Sequence, residues 1–208
     1  MVLKGIKLRI YPDGYQKELI EYNFGANRFV WNNMLDMMIK RHENNPDLKS
    51  LKAFDLNYIL TTFKKEHTWL KKAESTSLQV SNKNLFEAYK GFFSKKRKFP
   101  RFKSKKYPKQ SYQSKFVNNN VEIIDDSYIK LPKLGVMKYK NKKSIPSVIK
   151  YVTIRKSSTN KYYAILTVGE DITKLPKTNR SVGLDMGVCD LVICSDGNKY
   201  RTVRFDKN

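Results

Sequence analysis

The chain of 208 residues carries 42 lysine and arginine side chains against 19 aspartate and glutamate side chains, a formal net charge of +23. Hydrophobic residues make up 40% of the sequence, which is enough for a buried core and excludes a chain that is disordered throughout. Self-repulsion at this charge destabilises a compact fold unless a polyanion neutralises it, so nucleic acid is the leading class of partner.

The sequence lacks the patterns of a membrane or secreted protein. No run approaches the roughly 18 to 20 apolar residues of a spanning helix. Residues 1–11 alternate basic with apolar side chains, unlike the continuous apolar core of a signal peptide. The two cysteines, Cys189 and Cys194, match neither a disulfide framework nor a metal knuckle. We therefore expect a cytoplasmic, nucleoid-associated protein with reduced thiols and no membrane partner.

The N-terminal segment predicts one strand and one helix. Residues 3–11 alternate apolar and basic side chains, which is the period of a strand with one buried face. Asp13 and Gln16 then form a capping-box pattern for a helix that follows Pro12-Asp13-Gly14. This helix carries an apolar stripe at helical spacing, which predicts a face turned to a core. The stripe consists of Ala26, Phe29, Val30, Met34, Met37 and Met38.

Two further helices are predicted after a polar break at residues 44–46. Residues 54–70 have apolar side chains at helical spacing. Thr76 and Gln79 form a second capping-box pattern, which predicts a third helix that runs to about Phe93. Three helices thus follow the first strand.

From residue 121 the hydrophobic period changes to two, which indicates strands. The predicted strands cover residues 121–124, 128–131, 136–139, 148–155 and 162–168, separated by turns at 132–133, 141–143 and 157–160. Because the N-terminal strand has the same half-basic alternation, we expect it to join this antiparallel sheet. The helical block is then an insertion into a β domain.

Residues 182–205 predict a final meander of three strands with a turn at Asp196-Gly197. The first of these strands, residues 182–188, is apolar on both sides of a single aspartate. Strands that are apolar on both faces normally have helices covering them. Residues 181–208 therefore predict the opening of a larger α/β domain.

Most of the charge lies in one part of the chain. Residues 88–169 contain 21 basic and 3 acidic side chains, a net +18 of the total +23. In the densest stretch, cations alternate with aromatic rings, and cations that neutralise phosphates beside rings that stack on bases indicate a nucleic-acid surface. A merely solvated face is the alternative. The candidate residues are Lys95, Lys96, Arg97, Lys98, Phe99, Arg101, Phe102, Lys103, Lys105 and Lys106.

Asp185 lies in the apolar strand between Leu184 and Met186, where aspartate is uncommon and costly to bury. The flanking Gly183 and Gly187 leave room for close approach of backbone, metal or phosphate. These features fit a metal-binding carboxylate at a phosphoryl-transfer site, and equally a turn aspartate at the end of a strand. The three later aspartates have the patterns of turn and tail residues, so the chain supplies one such ligand.

Several motifs occur in the order found in one family. The chain resembles the TnpB (OrfB) proteins of insertion sequences, which are transposase-family, RNA-guided DNA nucleases related to type V CRISPR effectors. The motifs lie at residues 7–12 (KLRIYP), 24–32 (FGANRFVWN), 77–79 (SLQ) through 92–93 (FF), 98–105 (KFPRFKSK), 131–135 (LPKLG) and 183–187 (GLDMG).

The resemblance implies an α+β fold in three parts. A split antiparallel β-barrel, the wedge domain, comprises residues 1–12 with 108–175, and a helical recognition domain with a basic C-terminal loop comprises residues 13–107. Residues 181–208 resemble the first strands of an incomplete RNase H-like (RuvC-like) domain, with Asp185 as a catalytic, Mg²⁺-binding carboxylate. Guide RNA and target DNA are the implied partners, and Lys7 and Arg9 join the candidate nucleic-acid-binding residues.

The sequence departs from the family pattern in its nuclease part. A second catalytic glutamate, a third catalytic aspartate and a zinc ribbon with two Cys-x-x-Cys pairs are all absent from the 208 residues. Mg²⁺ is therefore expected only where the site is completed, and no zinc ribbon is expected. Two hypotheses stay open: a Mg²⁺-dependent, RNA-guided DNA endonuclease with an incomplete site in this chain, or a nuclease-incompetent RNA- or DNA-binding protein such as a transposon relic or a repressor.

Overall fold

The computed structural model describes residues 2–48, 50–107, 110–140, 145, 148–171, 176 and 178–203. The chain forms two compact units, Met1–Asp171 and Ile172–Asn208. The first unit combines a seven-stranded sheet with the helices, and the second contains a three-stranded sheet. The mixed α+β class expected from the sequence is therefore confirmed.

The helices lie where the apolar periodicity predicts them. Helix α1 spans Gly14–Asn44, α2 spans Ala53–Glu66 and α3 spans Ser75–Phe93. A short 3-10 helix, Thr68–Lys72, covers the end of the segment predicted as one second helix. None of the helices in the described ranges is long and apolar enough to cross a membrane.

The predicted capping box at the start of α1 is confirmed. The Asp13 carboxylate accepts a hydrogen bond from the Gln16 backbone N–H at 2.8 Å, and the Gln16 Oε1 accepts one from the Asp13 N–H at 3.1 Å. The Gln16 Nε2 also donates to the backbone carbonyls of Leu134 (3.0 Å) and Val136 (2.8 Å) in the sheet. One side chain thus begins the helix and fixes it to the sheet.

Replacement of Gln16 by alanine is expected to lower the free energy of unfolding by about 2 to 3 kcal/mol, because it removes three hydrogen bonds and leaves a buried carbonyl without a partner. Urea unfolding followed by circular dichroism measures the change. The matched control is Gln79→Ala, since Gln79 is exposed on α3. An equal loss in both variants would contradict this role of Gln16.

The predicted cap of α3 is wrong by two residues. Glu74, and not Thr76, is the N-cap, and its carboxylate accepts hydrogen bonds from the backbone N–H groups of Thr76 (3.0 Å) and Ser77 (2.5 Å). The Glu74 N–H donates in turn to the buried Asn23 of α1 at 2.8 Å. This contact with another helix positions Glu74 as the cap. A local sequence pattern cannot predict such a contact, because Asn23 lies in a different helix.

The first unit contains seven strands, each antiparallel to its neighbours, in the order β2-β6-β7-β1-β5-β4-β3. The strands are β1 (Val2–Tyr11), β2 (Gln110–Lys115), β3 (Glu122–Ile123), β4 (Tyr128–Leu131), β5 (Gly135–Lys140), β6 (Ile149–Lys156) and β7 (Tyr162–Glu170). The N-terminal strand does join the sheet, between β7 and β5. The predicted turns at 132–133 and 157–160 are confirmed, and residues 141–143 lie outside the described residues. Closure of the sheet into a barrel stays a prediction.

Helix α1 contributes to two clusters of buried side chains. Its first half packs Leu19, Ile20 and Phe24 with the inner face of the sheet. Its second half packs Val30 and Met34 with α2 and α3. Four members of the predicted stripe are buried, and Phe29 and Met37 are partly buried against the same cluster. The helices and the sheet are thus joined through one continuous helix of 31 residues.

The second unit is the predicted meander with shorter strands. Its order is β10-β9-β8, formed by β8 (Leu184–Asp185), β9 (Asp190–Cys194) and β10 (Lys199–Arg201). Its first strand is exposed in the described residues, with Leu184, Met186 and Val188 61%, 72% and 80% exposed. That helices of a larger α/β domain cover this strand stays a prediction. Both cysteines are free. A Cβ atom on Gly187 would lie 3.1 Å from the Asp190 carbonyl oxygen, so this glycine makes room for the backbone of the chain itself.

Candidate nucleic-acid interface

The alternation of side chains along β1 turns its cations away from the core. Ile6, Leu8 and Ile10 are buried in the sheet core, so Lys7 and Arg9 point to the opposite face. We call this opposite face of β1, β5, β6 and β7 the outer sheet face. The two cations that the sequence singles out on β1 therefore share one surface.

The register of the strands extends these cations into a row across the sheet. Arg9 lies opposite Tyr163 of β7 on one side and opposite Lys140 of β5 on the other. Tyr163 lies in turn opposite Arg155 of β6. Paired residues point to the same face, so Arg155, Tyr163, Arg9 and Lys140 form one row on the outer sheet face, which we call the basic row.

The ring of Tyr163 holds the neighbouring cations in place. The Lys7 Nζ lies 4.1 Å from the centroid of this ring, and the Arg9 guanidinium carbon lies 5.2 Å from it. The Arg9 Nη1 is buried without a hydrogen-bond partner in the described structure. Cations held beside an aromatic ring suit the phosphates and bases of a nucleic acid.

Of the basic row, only Arg9 is among the residues predicted from the sequence, and Arg155, Tyr163 and Lys140 are not. Arg155 and Tyr163 both lie in predicted strands, at positions that alternate with buried side chains. Their place on the polar face was thus readable from the sequence. What the sequence does not contain is the strand register, which sets Arg155 and Tyr163 beside Arg9.

The densest cluster of cations lies in residues 94–107, which we call the basic segment; it forms neither helix nor strand. Helix α1 fixes its backbone at two points. The Trp31 Nε1 donates to the Arg101 carbonyl at 3.0 Å. The Asn32 side chain donates to the Lys103 carbonyl at 3.0 Å and accepts from the Lys103 N–H at 2.8 Å. Helix α1 therefore holds an irregular segment in a defined path.

All of the predicted binding residues in the basic segment are exposed as residues. These are Lys95, Lys96, Arg97, Lys98, Phe99, Arg101, Phe102, Lys103, Lys105 and Lys106. Phe102 is 56% exposed, which leaves its ring open for stacking. Phe99 is 41% exposed, and its ring packs edge-to-face on Tyr89 and Phe92 at the end of α3. Phe99 thus also helps to attach the segment to α3.

Lys103 differs from the other lysines of the basic segment. The residue as a whole is exposed, but its Nζ lies 3.8 Å from the centroid of the Trp31 ring. Burial of the ammonium end at this place lowers the pKa of Lys103 to about 8. The side chain therefore turns inward over α1 rather than outward with its neighbours.

The predicted metal ligand, Asp185, lies in the second unit. It is exposed and pairs with Ile193 of β9. Its carboxylate makes no hydrogen bond or ion pair with the described residues, whereas Asp196 accepts from the N–H and side-chain amide of Asn198, as a turn residue does. No group of three or more histidine, cysteine, aspartate or glutamate residues that could hold a metal ion occurs in the described part of the chain.

The chain is similar to known proteins, over its N-terminal part in one comparison and over almost its whole length in another. The family model HTH_OrfB_IS605, described as a helix-turn-helix domain, matches residues 1–46. In the structure, these residues form β1 and the single helix α1. The "Putative RNA-guided DNA endonuclease InsQ" of Escherichia coli (strain K12) is 35% identical across 99% of this chain and 51% of its own length.

Two other relatives are more distant or shorter. The "Putative RNA-guided DNA endonuclease" of Streptomyces pristinaespiralis is 25% identical across 99% of this chain and 51% of its own length. The "Virulence protein VsdF" of Salmonella dublin is 33% identical across 50% of this chain and 95% of its own length. The chain spans about half the length of the two endonuclease-named relatives.

These similarities agree with the ordered motifs of the sequence. They place the chain in a transposase-associated class of proteins. The chain belongs to the TnpB (OrfB) family of insertion-sequence proteins.

Proposed function

We propose that residues 2–171 form the part of an RNA-guided DNA endonuclease that holds nucleic acid, with guide RNA and target DNA as partners. The observation that carries this proposal is the basic row, in which Arg155, Tyr163, Arg9 and Lys140 share one sheet face. Phosphates pair with the cations of such a surface, and a base stacks on its ring.

The proposed division of labour follows from this surface. Cations bind any phosphate backbone, so they hold the guide without reading its sequence. Base pairing between guide and target then supplies the sequence specificity. In this proposal the sheet closes into the wedge barrel of the family, and the helices with the basic segment form its recognition domain. The relatives named as RNA-guided DNA endonucleases support this assignment.

Asp185 is proposed as the first metal-binding carboxylate of a RuvC-like nuclease domain that begins at residue 181. The support is its place in the GLDMG motif and its exposed carboxylate, which the described residues leave unpaired. A carboxylate oxygen is the type of ligand that Mg²⁺ prefers, and the ion would stabilise the charge that develops on a phosphodiester during hydrolysis. Further carboxylates are needed to complete such a site.

A nuclease-incompetent nucleic-acid-binding protein is the second candidate. The observation that favours it is the lack of a cluster of metal-binding side chains in the described part of the chain. Both candidates share the same binding surface and differ only in cleavage.

Binding to a labelled single-stranded RNA of about 20 nucleotides tests the shared proposal. The logarithm of the association constant should fall linearly with the logarithm of the salt concentration, by about 0.7 for each phosphate neutralised. Four cations on the outer sheet face, Lys7 with the three of the basic row, predict a slope of about −3 or steeper. Fluorescence anisotropy between about 50 and 200 mM salt measures it.

A morpholino oligomer with the same bases is the control, because its backbone carries no charge. It is expected not to bind. An RNA affinity that does not change with salt, or equal binding of the uncharged oligomer, would overturn the proposal.

A further inference from the structure

Two cavities meet on the surface of helix α1, within the first unit. One has a volume of about 470 Å³ and lies between α1, the end of the basic segment and the turn after β6. The other has a volume of about 460 Å³ and lies between α1 and the 3-10 helix Thr68–Lys72. Gly25 and Arg28 line both cavities, so together they form one groove across the helix, which we call the α1 groove. Each half is within the roughly 300 to 1,000 Å³ of typical ligand sites.

The groove crosses α1 at a glycine that packing does not require. Gly25 lies in the interior of the helix, where glycine is less favourable than any residue except proline. Beyond its chain neighbours and the backbone of its own helix, a Cβ atom on Gly25 would meet only the Arg28 Nη2, at 3.9 Å. A side chain would therefore fit here. Its absence leaves open space above the helix, in which a ligand can approach the backbone and the Arg28 guanidinium closely.

The first half of the groove is basic. Its cations are Arg28, Lys105 and Lys156, and Glu21 is the only acidic side chain among the described residues that line it. The Glu21 Oε1 forms an ion pair with the Lys156 Nζ at 2.6 Å. The Arg28 Nη1 donates to the Gln110 side chain at 3.1 Å, and Arg28 forms no ion pair with the described residues. Arg28 and Lys105 are thus left for an anionic ligand.

The second half of the groove is aromatic, and no acidic side chain occurs among the described residues that line it. Trp69 is 42% exposed, and its ring makes edge-to-face contacts with Phe29 and Tyr22, at 5.0 and 6.0 Å between centroids. The Tyr22 hydroxyl group also donates to the Trp69 carbonyl. The Lys72 Nζ lies 5.1 Å from the centroid of the Tyr22 ring. An exposed indole ring is thus held in place beside cations, which is the arrangement on which bases of single strands stack.

We propose that the α1 groove holds a single strand of nucleic acid. Phosphate groups of the strand pair with Arg28 and Lys105, and a base stacks on the Trp69 ring. A single strand fits better than a duplex, because the bases of a duplex already stack on each other and are not free to reach Trp69. The proposal rests on the proposed nucleic-acid binding and adds a second surface to it, since none of the described residues that line the groove belongs to the basic row.

Gly25→Leu tests the groove without the removal of any side chain. It should raise the melting temperature, because leucine forms helices better than glycine. It should also lower the affinity for the labelled single-stranded RNA at least several-fold, because the new side chain fills the place where the groove crosses the helix. Gly14→Leu is the matched control and should keep the parent affinity. Gly14 begins the same helix, lines neither cavity, and a Cβ atom on it would meet nothing within 4 Å.

Two further substitutions test the phosphate and base contacts. Arg28→Gln should lower the affinity about five- to tenfold at low salt and reduce the steepness of the salt dependence by about 0.7, as one phosphate contact on a single strand predicts. Its control is Lys17→Gln, exposed on the same helix. Trp69→Ala should lower the affinity about tenfold, the loss expected for one stacked base. Its control is Phe54→Ala, since Phe54 is 81% exposed on α2. Both controls should bind like the parent protein.

Trp69 also reports directly on the stacked base. The chain has 2 tryptophans, and the other one, Trp31, is only 8% exposed. Single-stranded RNA should quench the fluorescence of the parent protein more than that of the Trp69→Phe variant, because a stacked base quenches the indole ring that it covers. A fully paired RNA duplex of the same length should quench both proteins equally.

Three results would overturn the proposal: an unchanged RNA affinity of Gly25→Leu, affinity losses of Arg28→Gln and Trp69→Ala that do not exceed those of their controls, or equal quenching of Trp69 by the single strand and the duplex. Failure here is distinct from failure of the proposed function. If RNA binding depends on salt but the groove variants bind like their controls, the groove proposal fails alone. If the RNA affinity of the parent protein does not change with salt, the wider proposal fails and the groove proposal fails with it.

Discussion

Replacement of Lys7, Arg9 and Arg155 together by glutamine is expected to lower the affinity for single-stranded RNA about 100- to 1,000-fold at low salt. The three cations surround the Tyr163 ring on the outer sheet face, so one bound strand contacts all of them. The loss of three phosphate contacts should also reduce the steepness of the salt dependence by about 2. Anisotropy titrations at several salt concentrations measure both quantities.

The control for this variant removes the same charge elsewhere. Lys40, Lys65 and Lys71 are exposed on the helices, and their replacement by glutamine also lowers the net charge from +23 to +20. Its affinity should change less than about threefold. If the two variants lose affinity equally, binding depends on the net charge of the protein and not on the outer sheet face.

Replacement of Asp185 by alanine or asparagine is expected to abolish Mg²⁺-dependent cleavage of guide-matched DNA by a protein that carries this chain. The reason is that both substitutions remove the negative charge that would hold the metal ion in the proposed site, and asparagine does so without changing the shape of the side chain. RNA binding should stay unchanged, because the substitution removes no cation. Cleavage is measured on labelled duplex DNA with and without Mg²⁺.

Asp196→Asn is the control for Asp185, since Asp196 hydrogen-bonds within its own turn and also carries one negative charge. It should leave cleavage intact. Cleavage that survives Asp185→Ala would remove Asp185 from the site. Salt-dependent binding by a wild-type protein that does not cleave would favour the nuclease-incompetent candidate.

The two capping boxes show where sequence reasoning about the fold works. The side chains of Asp13 and Gln16 each accept a hydrogen bond from the backbone N–H of the other residue. Because the two residues are only three positions apart, the local pattern is sufficient to predict the start of α1. The start of α3 depends on Asn23, which is more than fifty positions away from Glu74 in the chain. Strand β2 was missed for a related reason: Tyr112 is its only apolar side chain, and its neighbours on β6 and α3 complete its burial.

The candidate interface shows the same limit. Charge counting located the basic segment, because net charge needs no knowledge of contacts. It did not separate Lys103 from Lys105, since only the Trp31 ring and the packing around it turn Lys103 inward. Charge counting also could not predict the basic row, because the neighbours of Arg9 lie on other strands, and tertiary contacts set the register of those strands.

The central position of β1 determines when the outer sheet face can be completed during synthesis. Strand β1 is translated first, yet its main partner, β7, is the last strand of the sheet to leave the ribosome. Until then the apolar face of β1 has no β7 to pair with, and Arg9 has no Tyr163 beside it. Such non-local pairing makes folding slow. A nascent chain can therefore complete the basic row, which we propose as part of the RNA-binding surface, only after β7 has been synthesised.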